Sequence, residues 1–577
     1  MFDRRKVLLN GSCLVGLGAG AFAGARVLAG PAIAPSDLKV VVTLRGRQYV
    51  YDGATGEDMG SYVGEFVQQR CFRVMHPELP LTVFLRPDVA SDRLEVVVEL
   101  GRMWIPSDSP SMAHITDPYT VEIARGQKSV AKIEVPFHWW WARWRWQSAP
   151  RPIVRKPSTL IATSLLPPYG EMPEYAGQSR MRGAVYEKPM DQAGLASDWS
   201  TTGERSEIGP ITEAQAEYVI TGSSSSLQSL LAQAEACASA PIHWRDERTG
   251  AFINFQQYPT ASANEHDGRP AIPRPPAPRT PDDKQDRRFF RADTAHAGAL
   301  AYVPFLLTDD PYYLEELQAL GELGIGEAAW FRKLYKLPGL AQPDQTRAFA
   351  WSMRSLFQLG VVSPEKPPRW LLPKSYWRKN VADSRAFMQL YMDSPARIHR
   401  YFRCFTNIEG APTWMSHFVS FILAWGVMLG YREWQDAYRW QIAGPMAQCN
   451  GKSGWSRQWP VPLRWYPLKT FEKYKESPSM LFKDTSVDAE TCRDWSDAWN
   501  FFKTQQKIDD SGWDGHSIMA PMQSPSYLQY LMGSLRMASH LGIPDAVESA
   551  AWFEKVLPST AGYKHISEFK KWAILPP

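Results

Sequence analysis

Two stretches, Thr212 to Ala236 and Thr294 to Leu320, read as one helix-turn-helix unit written twice. Setting Thr221 on Thr308 brings Tyr218 over Phe305, Val219 and Ile220 over Leu306 and Leu307, and Leu227 and Leu230 over Leu314 and Leu317. In each, an apolar helix runs to a Thr-Gly or Thr-Asp-Asp turn and an amphipathic helix follows. Neither unit can bury its apolar face alone, so the units must stack.

Helical periodicity fills the rest of the chain after Trp199. Phe349, Met353, Leu356 and Leu359 form one stripe, and Phe418, Phe421, Ile422, Trp425 and Leu429 a second. A third, Leu528 to Leu535, turns at Leu541-Gly542-Ile543-Pro544 into a helix through Trp552. Ala382 to Tyr401 and Asp494 to Phe502 carry weaker helical patterns. Irregular spacing, with a proline-rich loop at 258–286, separates this array from tight peptide-binding solenoids.

Before Trp146 the period is two. Leu38 to Thr43, Gln48 to Tyr51, Leu81 to Arg86, Leu94 to Leu100 and Tyr119 to Ile123 are rich in Val, Thr and Tyr and are divided by turn dipeptides, the pattern of an antiparallel β-sandwich. Its last strand, Phe137 to Trp146, holds five Trp. Alternation puts Trp140, Trp144 and Trp146 on one face and Trp139, Trp141, Arg143 and Arg145 on the other. Both faces need cover, so this strand is expected to join the β-domain to the helices, with a sugar-stacking platform as the alternative. The organisation is then an N-terminal segment, 1–34; a β-domain, 35–147; a proline-rich connector, 148–198; and a helical domain, 199–577.

The N-terminal segment has Arg4 and Arg5 ahead of a mildly apolar run from Val7 to Ala25, and resembles a twin-arginine export signal. That implies a periplasmic or secreted protein, passed in folded form and touching the export machinery transiently. An uncleaved anchor is the alternative. The six cysteines are scattered, with no Cys-x-x-Cys pair. They compose no disulfide framework and no metal site, though a single disulfide is open to them.

A formal charge of +4 on 577 residues gives no basic excess of the kind that binds nucleic acid. Aromatic residues reach 12%, enough to supply exposed stacking faces as well as a core. Phosphate loops, dinucleotide fingerprints, serine nucleophile elbows and zinc-helix motifs do not occur, and no cofactor or metal is expected.

Irregular hairpins, long loops, an export signal and abundant aromatics resemble the α/α toroid of carbohydrate-active enzymes, many of which carry a β-sandwich. The likeness is one of pattern over about residues 200 to 577 and brings no family motif, so catalytic residues cannot be carried over. It implies an α+β multidomain protein, a β-sandwich followed by an α/α toroid. It also implies cleavage of glycosidic bonds in a polysaccharide or oligosaccharide substrate.

Loops at the ends of inner helices are where a toroid keeps its chemistry. Before the first unit stand Glu204, Arg205 and Glu207. After it comes the densest polar run, His243, Trp244, Arg245 and Asp246. Arg291, Asp293 and His296 lead into the second unit, Trp414 and His417 into a later one, and Trp513, Asp514 and His516 precede the last. We expect Glu207, Asp246, Asp293, His296, Asp514 and His516 to supply acids and bases. The other residues would bind substrate. Two carboxyls would hydrolyse. A His or Tyr base with Arg to neutralise a uronate would eliminate. A non-catalytic glycan-binding or envelope scaffold reads the same residues as a contact surface and ordinary helix caps. A cofactor-loaded redox protein is a weaker third reading.

Overall fold

The computed structural model describes residues 33–101, 114–171, 183–201, 203–246, 248–261, 290–393, 413–462, 492–519, 526–559 and 570–577. The export-signal segment lies outside them except for Ile33, which is buried, and Ala34; the proline-rich loop lies outside from 262 on.

Among the described residues, nine strands form two antiparallel sheets. One has the order β2 (Arg47–Asp52), β1 (Leu38–Leu44), β7 (Tyr119–Arg125), β8 (Lys128–Val135). The other runs β3 (Glu57–Val63), β4 (Gln68–Met75), β5 (Leu81–Pro87), β6 (Leu94–Leu100), β9 (Arg143–Gln147). In β7 buried and partly exposed residues alternate, as a one-sided sheet requires, whereas every residue of β5 and β6 is buried. The second sheet is therefore covered on both faces at β5 and β6, while β3 and β4 keep exposed residues. β9 is shorter than its Trp run suggests, because Trp141 takes a left-handed backbone (φ 59°) and Trp139 to Ala142 form a turn. Within β9 the alternation holds. Trp144 donates to the Tyr119 hydroxyl of β7, which bonds His138 Nδ1 at 2.8 Å, while Arg143 and Arg145 point to the helices.

Thirteen α-helices follow among the described residues: α1 (Pro157–Ala162), α2 (Glu213–Thr221), α3 (Ser224–Cys237), α4 (Tyr302–Thr308), α5 (Pro311–Gly326), α6 (Ala329–Tyr335), α7 (Thr346–Val362), α8 (Lys374–Met392), α9 (Thr413–Met428), α10 (Gln435–Cys449), and the helices Trp495–Gln506, Ser526–His540 and Ala546–Val556. The two matched units are the hairpins α2–α3 and α4–α5. Their first helices end on Thr221 and Thr308, each followed by a left-handed residue, Gly222 or Asp309. Thr212 and Gln215 close a capping box at the start of α2. Upstream of α4 the sequence reading needs correction: Thr294–His296 is a 3-10 turn, and the helix begins only at Tyr302.

The helices pack in succession. α3 and α4 contact α5's hairpin, α5 lies on α7, α7 on α9, and α9 on Ser526–His540. The Lys570–Trp572 turn contacts both Ser526–His540 and α2. Lys570 pairs with Glu217 of α2 at 2.6 Å, and Trp572 packs on Phe418, Phe421 and Tyr530. Among the described residues, no helix is long and apolar enough to cross a membrane. The four described cysteines, Cys71, Cys237, Cys449 and Cys492, are buried and free, so the single disulfide left open does not join any two of them.

Sheet and helices meet through charge. All sixteen residues of α5 are buried, including Glu315 and Glu316. Arg86 of β5 grips Glu315 with both terminal nitrogens, at 2.5 and 2.9 Å. Arg143 of β9 reaches Glu315 at 3.0 Å and Glu316 at 2.6 Å, and Arg245 reaches Glu315 at 2.5 Å and Glu99 of β6 at 2.9 Å. Arg145 bridges Glu95, Asp310 and Glu235. Burial alone would raise the Glu315 carboxyl, but Arg143, Arg86 and Arg245 outweigh it and hold it well below its ordinary 4.5. Removing one member of such a cluster strands buried charge at a cost of about 3–5 kcal/mol. Glu315→Gln should accordingly lose most of the stability seen in urea unfolding. Asp117→Asn, in the exposed Arg45–Asp117 pair, should change it by under about 1 kcal/mol. Equal effects would remove the junction from this role.

Candidate functional site

The loop between Trp199 and α2 is held from three sides. Arg205 Nε donates to Glu207 at 2.6 Å, and its terminal nitrogens reach Trp199 O at 3.1 Å, Thr201 Oγ1 at 3.0 Å and His296 O at 3.3 Å. Lys571 Nζ donates to the carbonyls of Arg205 (3.0 Å) and Ile208 (2.7 Å), and Ala299 N donates to Glu207 O at 3.0 Å. The loop, the 293–299 segment and the C-terminal turn therefore fix one another. The 293–299 segment is in turn tied to α5, because Thr294 Oγ1 donates to Glu327, one residue past that helix, at 2.7 Å.

Asp293 bonds His296 Nδ1 through one carboxylate oxygen and Ala295 N through the other. A carboxylate on Nδ1 orients an imidazole and leaves Nε2 as its working nitrogen. Facing this pair is Arg347. A Cβ added to Gly203 would displace Arg347 Nη1 and stand 3.7 Å from His296 Cδ2, so Gly203 leaves room for these two side chains to approach across the loop. The Arg347 guanidinium lies 5.7 Å over the Trp414 ring, and Trp414 stacks on Tyr527 at 4.8 Å with the planes 4° apart. Arg347, Trp414 and Tyr527 are each the second residue of a helix: α7, α9 and Ser526–His540. Three helices thus bring their first turns to one place.

The electrostatics separate these groups. Burial lowers Lys571 and Arg347 from their ordinary values, Asp293 and the two tyrosines working against this for Arg347. Burial and the neighbouring Asp293 raise Asp344. Burial and Glu204 raise the Tyr527 hydroxyl, against Arg347. Among the described residues no group of three or more His, Cys, Asp and Glu side chains could hold a metal ion.

The structure brings together six of the residues singled out in the sequence: Glu204, Arg205, Glu207, Asp293, His296 and Trp414. Arg291 stands beside them, exposed, its backbone paired with Ser197 and Trp199. Others lie elsewhere. His243 bonds Glu316 at 3.1 Å and Arg245 bonds Glu315, both inside the sheet–helix junction. Trp244 packs on Trp141, and Asp246 pairs with Arg248 and the Tyr258 hydroxyl. Asp514 accepts from the backbone of His516 and Ser517 in an exposed turn, where Trp513 Nε1 donates to Ser517 O. His417, one turn beyond Trp414, is fully buried in the core, and neither ring nitrogen has a hydrogen-bond partner. Sequence reasoning missed Arg347, Asp344, Tyr527 and Lys571.

Comparison with known protein families, with curated proteins and with solved structures returns no match.

Two outcomes follow. Lys571→Met should leave the Arg205 and Ile208 carbonyls unpaired, at about 1–3 kcal/mol, and speed amide exchange across residues 203–211 while the sheets stay protected. Unchanged exchange there would remove Lys571 from loop fixation. The second concerns acid. Burial drops His417 and His138 from 6.5 to about 3 and His114 to about 4. Folded-state values below the unfolded value mean that stability is full above pH 6.5. It is then lost as the unfolded chain takes up protons that the folded chain refuses, at about 1.4 kcal/mol per pH unit for each group. Urea midpoints should therefore fall from pH 6.5 downward, and His417→Leu should flatten that slope by about one proton. A slope identical to that of the parent chain would show that His417 is not held neutral.

Proposed function

We propose that this protein is an exported carbohydrate-active enzyme that cleaves glycosidic bonds of a polysaccharide at the cleft between Glu207, Asp293, His296, Arg347, Trp414 and Tyr527. The proposal includes the finer architecture, with the two sheets as a β-sandwich and the helices as an α/α toroid. Support for the toroid comes from the succession α2, α3, α5, α7, α9 and Ser526–His540, and from the Lys570–Trp572 turn that joins the last of these to α2. Export rests on the Arg4-Arg5 segment alone.

The observation that carries the catalytic reading is the Asp293–His296 pair, set across Gly203 from Arg347 and the Trp414–Tyr527 stack. A sugar ring offers apolar C–H faces to an aromatic platform and hydroxyls to its polar rim. An imidazole oriented by a carboxylate is a general acid–base. Glu207 accepts from both Arg205 and Ser206, an arrangement that suits loop positioning more than proton donation. Base-initiated cleavage at His296 thus fits better than a two-carboxylate hydrolysis.

The mature chain should cleave at least one member of a panel of neutral and acidic glycans. New reducing ends with ultraviolet absorbance mark elimination, and reducing ends without it mark hydrolysis. His296→Ala should lower kcat by about 10²–10⁴-fold with little change in Tm, and Asp514→Ala should leave it intact. Glycan binding without turnover would replace the enzyme reading with that of a non-catalytic glycan-binding or envelope scaffold. Neither binding nor turnover on any glycan would sink both.

A further inference from the structure

Arg347 is a buried cation within electrostatic reach of Asp293 but in ion-pair contact with no carboxylate among the described residues. Its residue exposure is 7%, yet among the described residues it forms no hydrogen bond and no ion pair, and its Nε is buried with no partner. An orphaned nitrogen is not peculiar to it, since Arg86, Arg143 and Arg354 each carry one as well, but each of those makes bonds through its other nitrogens. Arg86, Arg143, Arg145 and Arg245 meet carboxylates, and Arg354, two turns along α7, donates to the carbonyls of Gly209, Ala297 and Gly298. A buried charge left unpaired costs several kcal/mol, and a fold that supplies carboxylates to four arginines has kept one back at its cleft.

The surroundings add to that positive field. The seventeen-residue helix α7 has no side-chain cap at its N-terminus, and the Thr346 hydroxyl is buried without a partner. α9 and Ser526–His540 start at the same place. Helix N-termini carry partial positive charge and unsatisfied N–H groups, and they bind anions. The rim carries the opposite sign at Asp293 and Glu204, which suits a single negative charge better than a phosphate dianion.

We propose that Arg347 and the first turn of α7 form the binding site for the carboxylate of a uronate residue whose ring stacks on Trp414. The proposal rests on the glycan-cleaving reading and names its substrate class, an acidic polysaccharide. It also selects the chemistry. With its carboxylate neutralised by Arg347, the sugar loses the proton on the adjacent carbon to His296 Nε2. That electron pair forms the ring double bond as the glycosidic C–O bond breaks, and the departing oxygen takes a proton from solvent. Water is not consumed and no oxidant is needed.

The test is thermal melting of the full mature chain with D-glucuronate, D-glucose or acetate at matched ionic strength, on the parent protein and on Arg347→Met and Arg347→Lys. Glucuronate should give a saturable rise in Tm that glucose does not give. Arg347→Met should lose the response while melting no lower than the parent, because the unpaired buried cation is gone; a merely structural arginine would instead melt lower when replaced. Arg347→Lys should keep part of the response. A glucuronate rise that survives in Arg347→Met, or no rise in the parent chain, overturns the site whatever a glycan panel shows. Equal rises with acetate and glucuronate keep a carboxylate site and sink the sugar reading beneath it.

Discussion

Glu315 is the point on which the two halves of the molecule turn. Three guanidinium groups, from β5, from β9 and from the segment after α3, close on one carboxylate with no exposure to water. Such a cluster adds little stability over a well-packed apolar one, but it tolerates no mismatch, because each unpaired member is stranded in a low-dielectric interior. The junction therefore sets position. The second sheet can meet α5 in one register only, and α5, placed at its first turns by Arg143 and Arg145, carries that placement sixteen residues along to Glu327. There Thr294 is held, and with it Asp293 and His296.

The contrast between satisfied and unsatisfied charge then organises the rest. Where the fold needs rigidity, arginine is given carboxylates or several carbonyls, as at Arg145 and Arg354. Arg347 has neither. Its neighbours do not move the cost elsewhere: Trp414 gives a cation–π contact, worth about 0.5–2 kcal/mol, which falls short of replacing an ion pair. Proteins retain such local instability chiefly where function requires it, and the groups around Arg347 are the ones that combine an oriented imidazole with an aromatic platform.

What the sequence disclosed follows from how local each signal is. Thr221 and Thr308 end equivalent helices because capping and a left-handed residue act within four positions, so matching the two stretches located both hairpins. β3, β4 and β8 were not read. β8 is largely exposed and its apolar face is only Ala131, Ile133 and Val135, set between charged residues, and β4 mixes buried Gln69 and Arg73 with its apolar residues. Helix α5 reads as amphipathic because Glu315 and Glu316 look like a solvent face, and their partners lie far off in the chain: Arg245 at 70 residues, His243 at 73, Arg143 at 173 and Arg86 at 229. The same blindness made His243 to Asp246 look like an active loop. Its density of charge is real, but His243 and Arg245 answer the buried carboxylates Glu316 and Glu315, and Asp246 answers Arg248. Arg347 and Arg354 did leave a trace, since two arginines within the apolar stretch Thr346 to Leu359 cannot both escape burial.

The site residues that escaped notice share a reason. Arg347 and Tyr527 stand in their helices where Trp414, which the sequence did single out, stands in its own, and nothing in one helix tells that its first turn will meet the others. The succession of packed helices creates that meeting, and Lys571 completes it by holding the Arg205 and Ile208 carbonyls across 366 and 363 residues of chain. Docking of the last few residues therefore helps to fix the proposed site, and long-range contacts of this kind are slow to form. The proposed site thus depends on a finished fold, and the proposed export of a folded chain through the Arg4-Arg5 segment would make the same demand.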